Sequence, residues 1–396
     1  MSRKATIRVL VLDADMVPAL TIARSLKRRG CLVTVASHVP KPIASYSHAV
    51  HASWQYPDPL SARDEFVQWI VQNAGTDNYD LVIPVTERTL VPLSRCRPQL
   101  PRVKIAMPSE QSLELVLDKS KTMELAEALG IPVPESTLVK SLEDLERTPD
   151  ALQFPVVIKP TRSLGSKDGQ SNPLHVSYAF DALELRNDCQ HALRFGDVLL
   201  QKYFNGQGVG VELIAQGGKI VYAFQHRCLH EVPLTGGGSS LRKSEAVLPQ
   251  LLQASRELVA ALNWNGVAMV EFKHDPVSED FCLMEINGRF WGSLPLADAA
   301  GVDFPSMLLD LELQGQVGPC KPYRENIFCR LLSRDLSWYE AVVRGDVRDK
   351  IVRIPPMPEV LRELGIIFSP RHNFDVQSFR DPLPGAIDLQ RIILSY

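Results

Sequence analysis

The sequence predicts an α/β chain that opens with a doubly wound parallel domain, continues into an α+β region of mostly antiparallel strands, and ends in a small C-terminal extension. Three observations carry this expectation. The opening alternates an apolar strand run, a helical run and a second strand run. After about residue 110 the pattern changes to short strands joined by glycine-bearing turns. From about Pro319 the chain becomes rich in Arg and Pro.

Residues 7–15, "IRVLVLDAD", form a continuous apolar run ending in acids; residues 18–30, "PALTIARSLKRRG", show helical periodicity and a glycine stop; residues 31–37, "CLVTVAS", read as a second strand. A helix over 62–73 and a strand over 79–87 extend this β-α-β opening to about residue 110. Its strands would end near Asp13, Ser37 and Glu87, where open α/β sheets bind ligands, and we expect part of the specificity surface around Asp13, Thr86 and Glu87. The first loop, "DADMVPA", lacks the glycine pattern of a dinucleotide site. Residues 107–136 read as a helix closed by Gly130 and a Pro-punctuated loop. Strands are then expected over 154–160, 198–204, 209–227, 266–275 and 281–290, with helices near 177–194 and 249–263. The glycine-rich run 234–245 reads as a flexible connection, and a helix over 337–345 is expected in the tail, with further helices whose places the sequence does not fix.

Of the 396 residues, 45% are hydrophobic and 22% charged, the balance of an ordinary globular chain with a large core. The net charge of −3, from 43 basic and 46 acidic residues, offers no global field for nucleic acid or a membrane surface, so small-molecule substrates are the expected partners. Seven cysteines are scattered without a CxxC pair, which suits reduced thiols. The N-terminal apolar run is too short for a signal segment, and a cytoplasmic location is expected. His226 and His230 are spaced by four, but strand patterning there argues against zinc.

The chemistry concentrates in "GVAMVEFKHD" (266–275) and "LMEINGRFWGS" (283–293). If the two strands form a hairpin with Lys273 opposite Phe281, Glu271 lies opposite Leu283 and diagonal to Glu285, and both carboxylates share a face. Asn287 continues that row. Such hard oxygen ligands suit Mg²⁺ together with nucleotide phosphates, and Arg289 would add a fixed cation. Upstream, Lys159 ends an apolar strand ahead of "TRSLGSKDG" (161–169), where a lysine and backbone N–H groups can grip phosphate oxygens. No P-loop is present. Taken singly, each of these residues also fits a solvated sheet face or a snorkelling strand end; their conjunction is what points to a site.

Read in order, these pieces resemble the ATP-grasp superfamily, the fold of biotin carboxylase, of the carbamoyl-phosphate synthase large subunit and of D-alanine:D-alanine ligase, over about residues 1–318. The resemblance implies a pre-ATP-grasp Rossmann-like domain over 1–110, a small lobe or lid over 111–200, a large lobe with the metal site over 201–318, and an extension over 319–396. "MEINGRFWG" looks like the family's metal strand, with Gly288 where Pro is usual. It implies Glu271, Glu285 and Asn287 as ligands of Mg²⁺, with Mn²⁺ as a substitute and two ions expected, and Arg289 on the transferring phosphoryl. By the same resemblance Lys119, Lys159 and Ser166 contact ATP, Gln201, Lys202, Tyr203 and Phe204 form the adenine hinge, and Glu212 lies at the ribose. The segment 224–247 looks like a subgroup of carboxylate-amine ligases that includes D-aspartate ligase, implying that Arg227 frames the acyl substrate and Lys243 sits near the γ-phosphate.

The implied activity is ATP-dependent ligation of a carboxylate to an amine through an acyl-phosphate, with release of ADP and phosphate. A bicarbonate-activating carboxylase or a carbamoyl-phosphate-synthase-like enzyme is the alternative, and a non-catalytic ATP-binding module a further one. Because family members often dimerise, a homodimer is a further expectation.

Overall fold

The computed structural model describes residues 6–75, 78–147, 153–167, 170–345 and 355–395, with the side chains of 166–172 left aside. Five parallel strands open the chain: β1 (Arg8–Val11), β2 (Leu32–Ser37), β3 (Ala52–Gln55), β4 (Leu81–Ile83) and β5 (Lys104–Ile105). They stand in the order β3-β2-β1-β4-β5, so the direction of winding reverses at β1, as in doubly wound folds. The helix Val17–Arg28 follows β1 with Pro in its first turn and Lys27 and Arg28 in its last, where cations meet the negative end of the helix dipole.

Residues 107–136 do not form one helix. They form two, Glu110–Leu117 and Lys119–Ala128, broken at Asp118, whose carboxylate caps the second by accepting from Ser120 N–H. A four-stranded antiparallel sheet follows, in the order β10 (Ser177–Ala179), β7 (Val156–Pro160), β11 (Val198–Lys202), β6 (Ser136–Val139), beside the hairpin β8 (Leu164–Lys167) and β9 (Gln170–Pro173). It buries its own core of Val139, Val156, Ile158, Leu185, Val198 and Leu200.

The third sheet has seven strands in the order β16 (Phe281–Asn287), β15 (Gly266–His274), β12 (Gln207–Gln216), β13 (Lys219–Val232), β14 (Gly238–Glu245), β17 (Phe328–Arg330), β18 (His372–Phe374). The run expected as one strand over 209–227 is the hairpin β12–β13, turned at Gly217 and Gly218, both with positive φ. The run 234–245, expected as a flexible connection, is strand β14 from Gly238 onward, paired on both sides. The tail adds strands to its helices. It supplies β17 and β18, the helices Leu332–Arg344 and Met357–Gly365, and a last helix, Pro382–Ser395, that packs on the first domain.

One apolar core joins the first domain to the large sheet, with Val9, Val11 and Leu20 in the same cluster as Trp291, Phe304 and Leu308. The basic end of the first helix locks this joint from outside: Arg28 bonds Asp298, Arg29 Nη2 meets Asp310 at 2.6 Å, and Arg24 Nε meets Asp381 at 2.8 Å. The smaller sheet, with its separate core, faces the large one across a cleft. Among the described residues, no helix is long and apolar enough to cross a membrane.

Candidate active site

The cleft between the four-stranded and seven-stranded sheets holds about 440 Å³. Lys159 of β7, Gln201 and Lys202 of β11, and Tyr203 and Phe204 just beyond it line one side; Glu271, Lys273, Met284 and Glu285 line the other. The hairpin β15–β16 pairs Lys273 with Cys282 and His274 with Phe281, one residue away from the register expected. A bulge at Met284 then brings Glu285 directly opposite Glu271. Strict alternation would put Leu283 and Glu285 on the same face; the extra residue sends Leu283 into the core, fully buried, and leaves Glu285 in the cleft. The freed geometry has a second use, since Lys159 Nζ donates to the Met284 carbonyl at 2.7 Å.

Asn287 Nδ2 donates to Glu271 Oε1 at 3.0 Å and to Glu285 Oε1 at 3.2 Å, bridging the two carboxylates. On the far side of Glu285, Lys159 Nζ and Lys119 Nζ stand 3.7 and 3.8 Å from Oε2. Lys119 also donates to Ser163 Oγ at 3.0 Å, and its backbone N–H donates to the Thr161 carbonyl, which fixes the helix start against the end of β7. Burial and the neighbouring Glu285 charge push the Glu271 carboxyl well above the usual carboxylate range. Burial pushes Glu285 upward too, but the Lys159 and Lys119 ammonium groups and the Asn287 amide outweigh it and hold Glu285 low. Burial lowers the Lys159 ammonium, an effect the charge of Glu285 partly restores. The pair thus consists of one carboxylate held charged and one that favours its proton. Four carboxylate oxygens, with the Asn287 amide oxygen reachable by a half-turn of that group, form a hard donor set that fits Mg²⁺.

The model of an ATP-grasp family, described as "ATP-grasp in the biosynthetic pathway with Ter operon", matches residues 194–331. A carbamoyl phosphate synthase large chain of Pyrobaculum aerophilum is 23% identical over 315 residues, covering 75% of this chain and 28% of that one. Solved structures that the chain resembles include biotin carboxylase of Campylobacter jejuni (TM-score 0.64, 16% identity, 81% of this chain and 74% of that one). An L-amino acid ligase of Bacillus licheniformis (0.60, 16%, 80% and 78%) and N5-carboxyaminoimidazole synthetase of Staphylococcus aureus (0.64, 14%, 92% and 98%) share the same architecture.

The chain has the ATP-grasp fold. It spans little more than a quarter of the length of that carbamoyl phosphate synthase relative.

Within the ATP-grasp cleft, Lys119, Lys159, Glu271, Glu285 and Asn287 converge, and Gln201 to Phe204 line its wall. Gln201 is buried and spends its amide on Ser136 Oγ at 2.9 Å. The Ser166 side chain lies outside the described residues. Arg289 leaves the end of β16 toward the first domain, where its Nη2 is 3.8 Å from Glu87 Oε1 and its Nη1 donates to the Phe290 carbonyl. Its charge still lowers both Glu271 and Glu285, and its buried Nε has no partner among the described residues.

Three expected site residues are not brought in. Directly paired residues share a sheet face, and the rows Gly208–Cys228–Lys273 and Gly210–His226–Glu271 face the cleft; Arg227 and Lys243, paired with each other in the row of Val209 and Phe272, face the opposite way. Both bond Glu245, at 2.8 and 3.0 Å. Glu212 is completely buried, closed off by Ser293 Oγ at 2.6 Å and His226 Nδ1 at 2.9 Å, and does not reach the cleft. Asp13 is closed off as well: it accepts from Thr89 Oγ1, Tyr56 Oη and the backbone of Val85 and Thr86, and so braces the loop ends of β1 and β4.

Two cations were missed. Lys273 lines the cleft paired with Glu231 at 3.0 Å, and its spacing of two from Glu271 on one strand was the available signal. Arg334, from the helix Leu332–Arg344 in the tail, also lines the cleft, and nothing local in the sequence links it to this place.

Proposed function

We propose that the chain is an ATP-dependent carboxylate-amine ligase that forms an amide through an acyl-phosphate and releases ADP and phosphate. The observation that carries this reading is the Glu271–Glu285 pair, bridged by Asn287 and faced by Lys159 and Lys119 in one cleft. ATP would lie in that cleft, its base along Gln201 to Phe204 and its phosphates toward Lys159 and Lys119. Glu271, Glu285 and Asn287 would hold Mg²⁺, whose role when bound is to neutralise charge on the phosphates. A substrate carboxylate oxygen bonds the γ-phosphorus as the bond to the ADP oxygen breaks. An amine nitrogen then bonds the acyl carbon, loses a proton, and phosphate leaves. Lys159 and Lys119 offset the charge of the transferring phosphoryl, and the smaller sheet, with its own core, is suited to close over the acyl-phosphate and exclude water.

A second reading, activation of bicarbonate, is supported by the carbamoyl phosphate synthase and biotin carboxylase likenesses. Coupled ADP release over a matrix of acids and amines separates the two, because bicarbonate-dependent turnover without an organic acid favours carboxylation. Hydroxylamine should trap a hydroxamate of the true acid, and AMP in place of ADP would overturn the acyl-phosphate route. Glu285→Gln should lower ADP formation by about a hundredfold or more with the far-UV spectrum unchanged, the scale of losing one preorganised charge contact in a transition state. Full turnover in that variant would remove the metal assignment.

A further inference from the structure

A second pocket, of about 180 Å³, opens off the cleft beside Glu271, Lys273 and Met284. It exists because its floor is glycine. A Cβ at Gly208 would come within 2.9 Å of the Glu231 carboxylate, and one at Gly210 would run into the His226 ring. It is less than half the size of the main cleft, so it suits a small acid and not a nucleotide. It also borders Glu271 of the carboxylate pair, near which an acid must lie if its oxygen is to reach a phosphoryl group.

Two guanidinium groups reach this pocket. Arg242, 1% exposed, is matched by Asp375 at 2.6 Å, while its Nε has no hydrogen-bond partner among the described residues. Arg334 donates to the Val232 carbonyl at 3.2 Å and has no carboxylate within ion-pair distance among the described residues. Gly238 makes room for it, since a Cβ there would run into the guanidinium. Arg334 is itself exposed at the pocket mouth; partial desolvation by the neighbouring walls, and then the charge of Arg242, hold its guanidinium below its ordinary range. The acids on the same walls are committed elsewhere: Glu231 holds Lys273 at 3.0 Å, and Glu271 belongs to the proposed metal set. Asp375 thus matches the buried Arg242, while the exposed Arg334 has no acid of its own among the described residues and presents its fork to the pocket.

Given the acid-activating reading above, we propose that this side pocket holds the acid substrate and that Arg334 recognises a second anionic group on it. The substrate class is a small diacid: one carboxylate reacts beside Glu271, and the other is held by a residue from the tail. Arg suits this because its planar fork pairs a carboxylate through two parallel bonds.

The test measures binding of length-matched acids to the full chain by calorimetry, with Mg²⁺ and a non-hydrolysable ATP analogue present. The pairs are succinate against butyrate, glutarate against pentanoate, and each enantiomer of aspartate against 2-aminobutyrate. At least one diacid should bind about tenfold or more tighter than its monoacid, the scale of one charge-assisted contact. Arg334→Gln should bring that ratio to within about twofold, and Arg334→Lys should restore part of it. The assignment is overturned if no diacid is preferred by the wild-type chain, or if Arg334→Gln keeps the preference. It is equally overturned if that variant weakens only the nucleotide analogue, which would make Arg334 a phosphate contact. A diacid preference lost in Arg334→Gln, with no ADP released for any amine, would keep the pocket and remove the ligase reading.

Discussion

At Gly288 a single hydrogen separates the end of β16 from Trp264: a Cβ there would lie 2.6 Å from the indole Cη2. Trp264 is fully buried, its Nε1 donating to the Val267 carbonyl, so it cannot step aside. The glycine that stands where the resembling family places proline is thus a steric requirement of this core. Gly288→Ala should lower the unfolding free energy by about 1–3 kcal/mol, the range for overpacking, read from the urea midpoint. Glu271 carries a different residue-scale expectation. Its raised pKa means that the folded chain keeps a proton the unfolded chain has released, so stability falls as pH rises from the ordinary carboxylate value through the raised one. Glu285 has the opposite sign: its stabilisation is present above the ordinary value and lost as pH falls through its depressed one. Across the upper window the urea midpoint should therefore decline more steeply with pH for wild type than for Glu271→Gln. Parallel slopes would contradict the assignment.

Single strands show where local sequence stops being informative. The apolar runs of β1, β2 and β4 were legible because buried parallel strands are apolar on both faces, and β7, β11, β15 and β16 because turn residues bound them. β14 was not legible. Its glycines and its charged Arg242 and Lys243 read locally as a solvated linker, yet Arg242 is buried against Asp375, 133 residues further on. No local pattern encodes a partner at that distance. The same holds for the bulge at Met284, which shifts the register of β15–β16 by one residue while preserving the meeting of the two carboxylates. Asp375→Ala leaves the Arg242 charge buried and unmatched and should cost about 3–5 kcal/mol, measured by chemical denaturation. A loss under 1 kcal/mol would show that water reaches Arg242.

At the scale of the whole molecule, the candidate site was legible in its carboxylates and in Lys159, because they sit on strands with readable periods, and in Lys119 through the family resemblance alone, since the helix start at that residue was not legible. It was not legible in Arg334, because the tail's route was hidden. That route passes from the large sheet, through β17 and β18, to a final helix lying on the first domain. Asp381 just before that helix accepts from Arg24 Nε at 2.8 Å and Ser47 Oγ at 2.6 Å. The late arrival of β17 and β18 has a consequence for how the chain is made. At about 5–20 residues per second, β14 emerges from the ribosome several seconds before its outer neighbour β17 exists. During that interval the nascent sheet offers an open edge beside β14, with Arg242 still lacking its acid. That edge is closed, and Arg242 matched, only once the chain has been made through β17 and β18 to Asp375.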